Sequence, residues 1–128
     1  MMIQKPISVF ISYAHEDIGM VEQLRTDIEK QGINIWVAHV KLRPGTRDWD
    51  AAIRTAIRNV HYVLLIASPA SRNSRFVRDE LRIAEMYDSP VLPLWVDGAI
   101  WIDSVPMGWG DMQHCDIRDA EKMVKRAR

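Results

Sequence analysis

The chain has 128 residues, the length of one ordinary domain, and 48% of them are hydrophobic, enough to bury a real core. Lys plus Arg equals Asp plus Glu at 17 each, and the resulting net charge of zero argues against a dedicated nucleic-acid binder, which carries a basic excess. A single cysteine, Cys115, excludes an intramolecular disulfide framework and suggests a reducing compartment; its expected role is strand packing rather than nucleophilic attack.

No apolar run is long enough to span a bilayer, and Met1 to Pro6 is too short and polar for a signal peptide. The expectation is a cytoplasmic domain without a membrane segment. The first predicted strand is Ile7 to Ser12, rich in β-formers. Tyr13 to Asp17 leads into a helix with Val21, Leu24 and Ile28 at helical spacing, and Gly32 stops it. Ile33 to Val37 reads as a second strand, so the connection is a right-handed parallel crossover. Ala38 to Asp48 is a longer loop that turns at Pro44-Gly45 and carries Lys41, Arg43 and Arg47.

Trp49 to Asn59 is the second helix, with Ile53, Ala56, Ile57 and Val60 as its buried stripe. Tyr62 to Ala67 is a continuous apolar run, the pattern of a strand covered on both faces, as in parallel sheets. Ser68 to Ser74 reads as a small, polar, basic loop. The helix after it has Val77, Leu81 and Ala84 on one face and Phe76, Glu80, Ile83 and Tyr87 on the adjoining one. Pro90 to Val96 is the fourth strand; its prolines place it near an edge or at a bulge. Asp97 to Asp111 is irregular, and its Trp101 and Trp109 are expected to cover one end of the sheet. Met112 to Ile117 is a weak fifth strand, and Asp119 can cap a last helix, Ala120 to Arg128. That helix stops without a cap or glycine, so residues 1–128 read as one domain cut from a longer chain.

Five strands alternating with helices predict an α/β, flavodoxin-like three-layer sandwich with a five-stranded parallel sheet. Ligands of such sheets collect at the carboxyl ends of the strands. There the sequence puts a carboxylate, Glu80, four residues from an aromatic ring, Phe76. No spacing of His, Cys, Asp or Glu suggests a metal site. Ser12, Ser68 and Ser71 have no paired histidine, and His61 and His114 read as structural.

Several of these segments, in this order, resemble the Toll/interleukin-1 receptor (TIR) domain family. Val9 to Asp17, reading VFISYAHED, is similar to the family's first signature box and closest to the bacterial type. Leu42-Arg-Pro-Gly45 with Trp49 looks like the family's loop after the second strand. Leu65 to Ser71, Ser74 and Glu80-Leu81 resemble its third strand and catalytic helix, and Pro90 to Leu94 its fourth strand.

The resemblance implies two kinds of function. Many members cleave NAD between nicotinamide and ribose, giving ADP-ribose or a cyclic form. Others only pass signals through contacts between TIR domains. In the enzymes a glutamate of the third helix is catalytic, and Glu80 matches it. The family usually has tryptophan four residues earlier, where this chain has Phe76. A phenyl ring can stack on nicotinamide but lacks the indole donor. The bland reading of Glu80 is a first-turn acid that favours the helix dipole, a task Asp79 serves equally well.

The loop Ser12, Tyr13, Ala14 and His15 leaves the neighbouring strand end and is expected to line the same cleft, on the ribose and phosphate side. Backbone amides there and the start of the first helix would receive the diphosphate; the bland alternative is an ordinary turn in which Glu16 and Asp17 start a helix. Lys41, Arg43 and Arg47 are by default solvated loop charges; the functional reading is a contact to NAD phosphates or to an adjacent copy, and the resemblance implies self-association through the 40–48 loop. The expectation is therefore an NAD+ glycohydrolase that releases ADP-ribose or, as a cyclase, its cyclic form, with NAD+ as substrate and no cofactor, in defence or toxin-like signalling. The alternatives are a non-catalytic TIR module and base exchange at a ribosyl carbon.

Overall fold

A computed structural model describes residues 6–38 and 48–118. The expected Lys41–Arg47 contacts, Arg43 among them, and the helix after Asp119 lie outside these residues. The described elements are β1 (Ser8–Ser12), a 3-10 turn (His15–Asp17), α1 (Ile18–Glu29), β2 (Asn34–Trp36), α2 (Trp49–Asn59) and β3 (Tyr62–Ala67). Then follow α3 (Pro69–Arg72), α4 (Arg75–Met86), β4 (Val91–Trp95), a 3-10 turn (Trp101–Ser104) and β5 (Cys115–Asp116).

All strand pairs are parallel, in the order β2-β1-β3-β4-β5. This is the doubly wound arrangement that the alternation of elements predicts. The strand order reverses between β1 and β3, so their carboxyl ends, Ser12 and Ala67, flank the switch point.

The strand pleat divides the core in two. Phe10, Val63, Leu65 and Ala67 face α2 and α4, where they meet Ile53, Ile57, Val77 and Leu81. Val9, Ile11, Leu64 and Ile66 face the other way and pack with Val21 of α1, with Leu24 and Ile28 beside them. The near-continuous apolar run of β3 follows from this double coverage. Trp101 and Trp109 pack against the core cluster on the α2/α4 side.

Three local expectations are corrected. Ser68 to Ser74 is not a plain loop: Pro69–Arg72 forms one helical turn, with Ser68 and Ser71 in a reciprocal capping box and proline at its first turn. Cys115 lies in a strand but is exposed, because β5 is two residues long at the sheet edge. Glu80 is not a first-turn acid: α4 starts at Arg75, capped by the Ser74 hydroxyl, so Asp79 and Glu80 fall in its second turn.

Pro93 sits within β4, opposite Leu65 of β3. Val96 donates its N–H to Ala67 on β3, while Trp95 accepts from Ile117 on the outer side. Alternate residues of a parallel strand address alternate neighbours, so the N–H that Pro93 lacks belongs to the outer side. There β5 pairs only with Leu94 and Trp95. The proline therefore costs no ladder bond.

Candidate functional site

The candidate site is assembled by two periodicities that meet at the switch point. Ser12 follows Phe10 by two residues, so it faces the same side of the sheet, toward α4. On α4, Val77, Glu80, Leu81 and Ala84 recur at helical spacing and are all buried. Glu80 is thus carried on the apolar stripe itself, at 8% exposure. Fully buried Ser12 donates its hydroxyl to Oε1 of Glu80 at 2.8 Å. Residues 68 apart in the chain are joined by this bond.

Burial pushes the Glu80 carboxyl up to about 8 from its ordinary 4.5; the Ser12 hydroxyl bond opposes this, and the nearby Asp79 charge adds to it. No described cation forms an ion pair with it. Among the described residues no buried side-chain oxygen lacks a partner, and Ser12 is the one described donor to this carboxyl. The second carboxyl oxygen is therefore one that solvent still reaches.

The other expected residues are placed as follows. Half-buried Tyr13 feels the negative charge of Glu80: burial first, then Glu22 and Glu80, hold its phenol up at about 12. Ala14 is buried and His15 exposed, so the β1 loop offers Tyr13 and His15 to a ligand and turns Ser12 and Ala14 inward. Phe76 is 72% exposed and belongs to neither core cluster. It shares a helix face with Glu80 by spacing, but it is in the first turn of α4, above the packed stripe. Arg43 lies outside the described residues.

A second polar bridge spans the same end of the sheet. Ser68, just after β3, donates its hydroxyl to Oδ2 of Asp17 at 2.5 Å. Partial burial raises the Asp17 carboxyl above the ordinary range; the Ser68 bond lowers it, and Asp97 and Glu16 raise it. The Ser68 oxygen also accepts from the Ser71 N–H, so one hydroxyl ties α1, β3 and α3 together. The Ser-Pro step with serine three residues on was a readable cap signal. Nothing local in the sequence signals the pairing with Asp17.

The fold and the site can be set against known proteins. A family model described as TIR domain matches residues 9–127. The TIR domain of the Toll-related receptor TRR-2 from Hydra magnipapillata superposes with a TM-score of 0.74 at 22% identity, covering 93% of this chain and 95% of that one. A metazoan TIR-STING receptor from C. gigas gives 0.68 at 22% identity, covering 98% of this chain but 42% of that one. A 2-deoxyribosyltransferase from Bacillus psychrosaccharolyticus gives 0.57 at 13% identity, covering 77% of this chain and 82% of that one. Comparison with curated proteins finds no match. Among the described residues no helix is long and apolar enough to cross a membrane. With the model spanning nearly the whole chain, and with strand order and layers as in a doubly wound sheet, this chain belongs to the TIR domain family.

Proposed function

We propose that this TIR domain is an NAD+ glycohydrolase that works when copies associate. The single observation carrying this reading is the Glu80 carboxyl: buried at the switch point, held by Ser12, and paired with no described cation. Cleavage of the nicotinamide–ribose bond develops positive charge on the sugar, as in glycoside hydrolysis. The pyridinium leaves as neutral nicotinamide and takes the bonding electrons with it, so no general acid is required. An ionised Glu80 would stabilise the ribosyl cation electrostatically. Water then adds to the anomeric carbon and loses a proton, giving ADP-ribose; capture within the same molecule gives a cyclic form instead.

In the resting site Glu80 holds its proton at neutral pH. The arriving pyridinium cation favours the carboxylate, so substrate charge and catalytic charge appear together. Phe76 is available to stack on nicotinamide, and Tyr13 and His15 to line the ribose side. Arg43 and the 40–48 loop would supply positive charge for the diphosphate or for a neighbouring copy. One fold relative is by name a 2-deoxyribosyltransferase suited to nucleoside synthesis, which lends support to a nucleotide-type substrate. A resistosome whose TIR domains match at a TM-score of 0.58, with 22% identity and covering 69% of this chain and 56% of that one, lends support to activity in an assembly.

The second reading is a non-catalytic signalling module acting through contacts between TIR domains. The exposed Phe76 in place of the family's tryptophan favours it, as do the receptor names of two fold relatives. The experiment is to incubate concentrated protein with NAD+ and follow free nicotinamide beside a Glu80→Ala control. Release that vanishes in the control supports the enzyme. No release at high or crowded concentration leaves the signalling module.

A further inference from the structure

The Ser12 hydroxyl has no task in the chemistry above, yet it is the one described donor to Glu80. It is fully buried at the end of β1, where its backbone is fixed by pairing with Leu65 of β3. A substrate cannot reach a side chain so enclosed, so its contribution must pass through its partner. Resting on the glycohydrolase reading, we propose that Ser12 is a positioning residue. It anchors Oε1 of Glu80 to the central sheet, leaves the second oxygen for the ribose, and favours the charged form of the carboxylate.

The geometry supports each part. A glutamate side chain has several rotatable bonds, and on a helix face it would sweep a range of positions. One bond to a strand end fixes it without neutralising it, as a lysine or arginine partner would. A hydroxyl donor also stabilises a carboxylate more than the neutral acid, because a bond to a charged acceptor is the stronger one. Serine supplies the hydroxyl on a short side chain at a fully buried position, on the same face of β1 as Phe10.

Removing the hydroxyl is expected to raise the pH at which Glu80 ionises by about one unit, the size of a charged hydrogen bond. The test uses the whole chain with 13C-labelled glutamate carboxyl groups, Glu80 being assigned by its absence in Glu80→Gln. Its titration is followed by NMR in the native protein, Ser12→Ala and Ser12→Thr, alongside the pH profile of nicotinamide release. The expected result is an upward shift in Ser12→Ala, with a fall in kcat/KM of about tenfold at pH 7. Ser12→Thr, which restores a hydroxyl, should return both toward native.

The same midpoint in the native protein and in folded Ser12→Ala overturns the proposal. So does a threonine variant that folds and titrates like alanine. Should Ser12→Ala fail to fold, the threonine variant carries the decision: a native-like midpoint supports the proposal, and one shifted as far as hydroxyl loss demands overturns it. The carbon titration needs no turnover. A protein that never releases nicotinamide defeats the glycohydrolase reading, while the coupling of Ser12 to Glu80 is still read directly.

Discussion

The Ser68 hydroxyl reaches Asp17 across 51 residues of chain, at 2.5 Å, and in the same position caps the short helix α3. Ser68→Ala removes both bonds. The expected cost at neutral pH is about 2 kcal/mol, roughly half from the lost cap and half from the half-buried carboxylate left without its donor. The carboxylate share is small because Asp17 is partly in water. The folded-state Asp17 already ionises above its unfolded value, and losing the Ser68 donor raises it further. The penalty of Ser68→Ala should therefore grow as pH rises from the raised midpoint of Asp17, above the ordinary 3.8, toward neutrality and then level off. Urea unfolding at two pH values measures it.

Glu80 makes the protein less stable in base than in acid. An unfolded chain ionises this carboxyl near the ordinary 4.5, the folded one near 8. Between these values the native state holds the extra proton, so stability falls as pH rises; above 8 the loss is complete. Glu80→Gln has no such titration. Relative to native, its stability should improve steadily between pH 4.5 and 8, by roughly 5 kcal/mol in all, seen as a rising difference in melting temperature. Calorimetry of both proteins across this range checks it, and a constant difference would contradict the buried, unneutralised carboxyl.

For the proposed cleavage, the ionised form is the active one. The profile of kcat/KM for nicotinamide release should climb about tenfold per pH unit below 8 and flatten above it. The limb in kcat should lie lower, because the bound pyridinium charge helps Glu80 lose its proton. Steady-state rates from pH 5.5 to 9 check both limbs. A flat profile would remove the Glu80 carboxylate from the rate-limiting step.

Phe76 separates stability from function. At 72% exposure and outside both core clusters, Phe76→Ala should change stability by less than about 0.5 kcal/mol. If the ring stacks on nicotinamide, the same change should raise KM for NAD+ several-fold, and Phe76→Trp should lower it by enlarging the stacking face. Thermal melts and nicotinamide assays of the two variants read the two effects apart.

The sequence carried the layout of the site better than its depth. The apolar run of β3 and the stripe Val77, Leu81, Ala84 were enough to place Glu80 at the mouth of a parallel sheet. Ser12 was legible as a neighbour because β1 must lie beside β3. What periodicity could not show is that Phe76 and Glu80, four apart, differ so widely in burial. That depends on where along α4 the packing begins. The turn Pro69–Arg72 was missed although its cap was written in Ser68, Pro69 and Ser71; a helix of one turn leaves no apolar stripe. The Asp17 contact is long-range, and β5 is too short for a pattern.

Pro93 has a consequence for assembly. Among the described residues β5 pairs with Leu94 and Trp95 alone, Pro93 itself is buried, and Leu92 beside it is exposed. Bare strand flanks recruit foreign strands and seed fibres. A foreign strand taking the place of β5 would meet the missing donor of Pro93 and could not extend a continuous ladder along β4. One route to unwanted polymerisation is thus closed by a single imino acid.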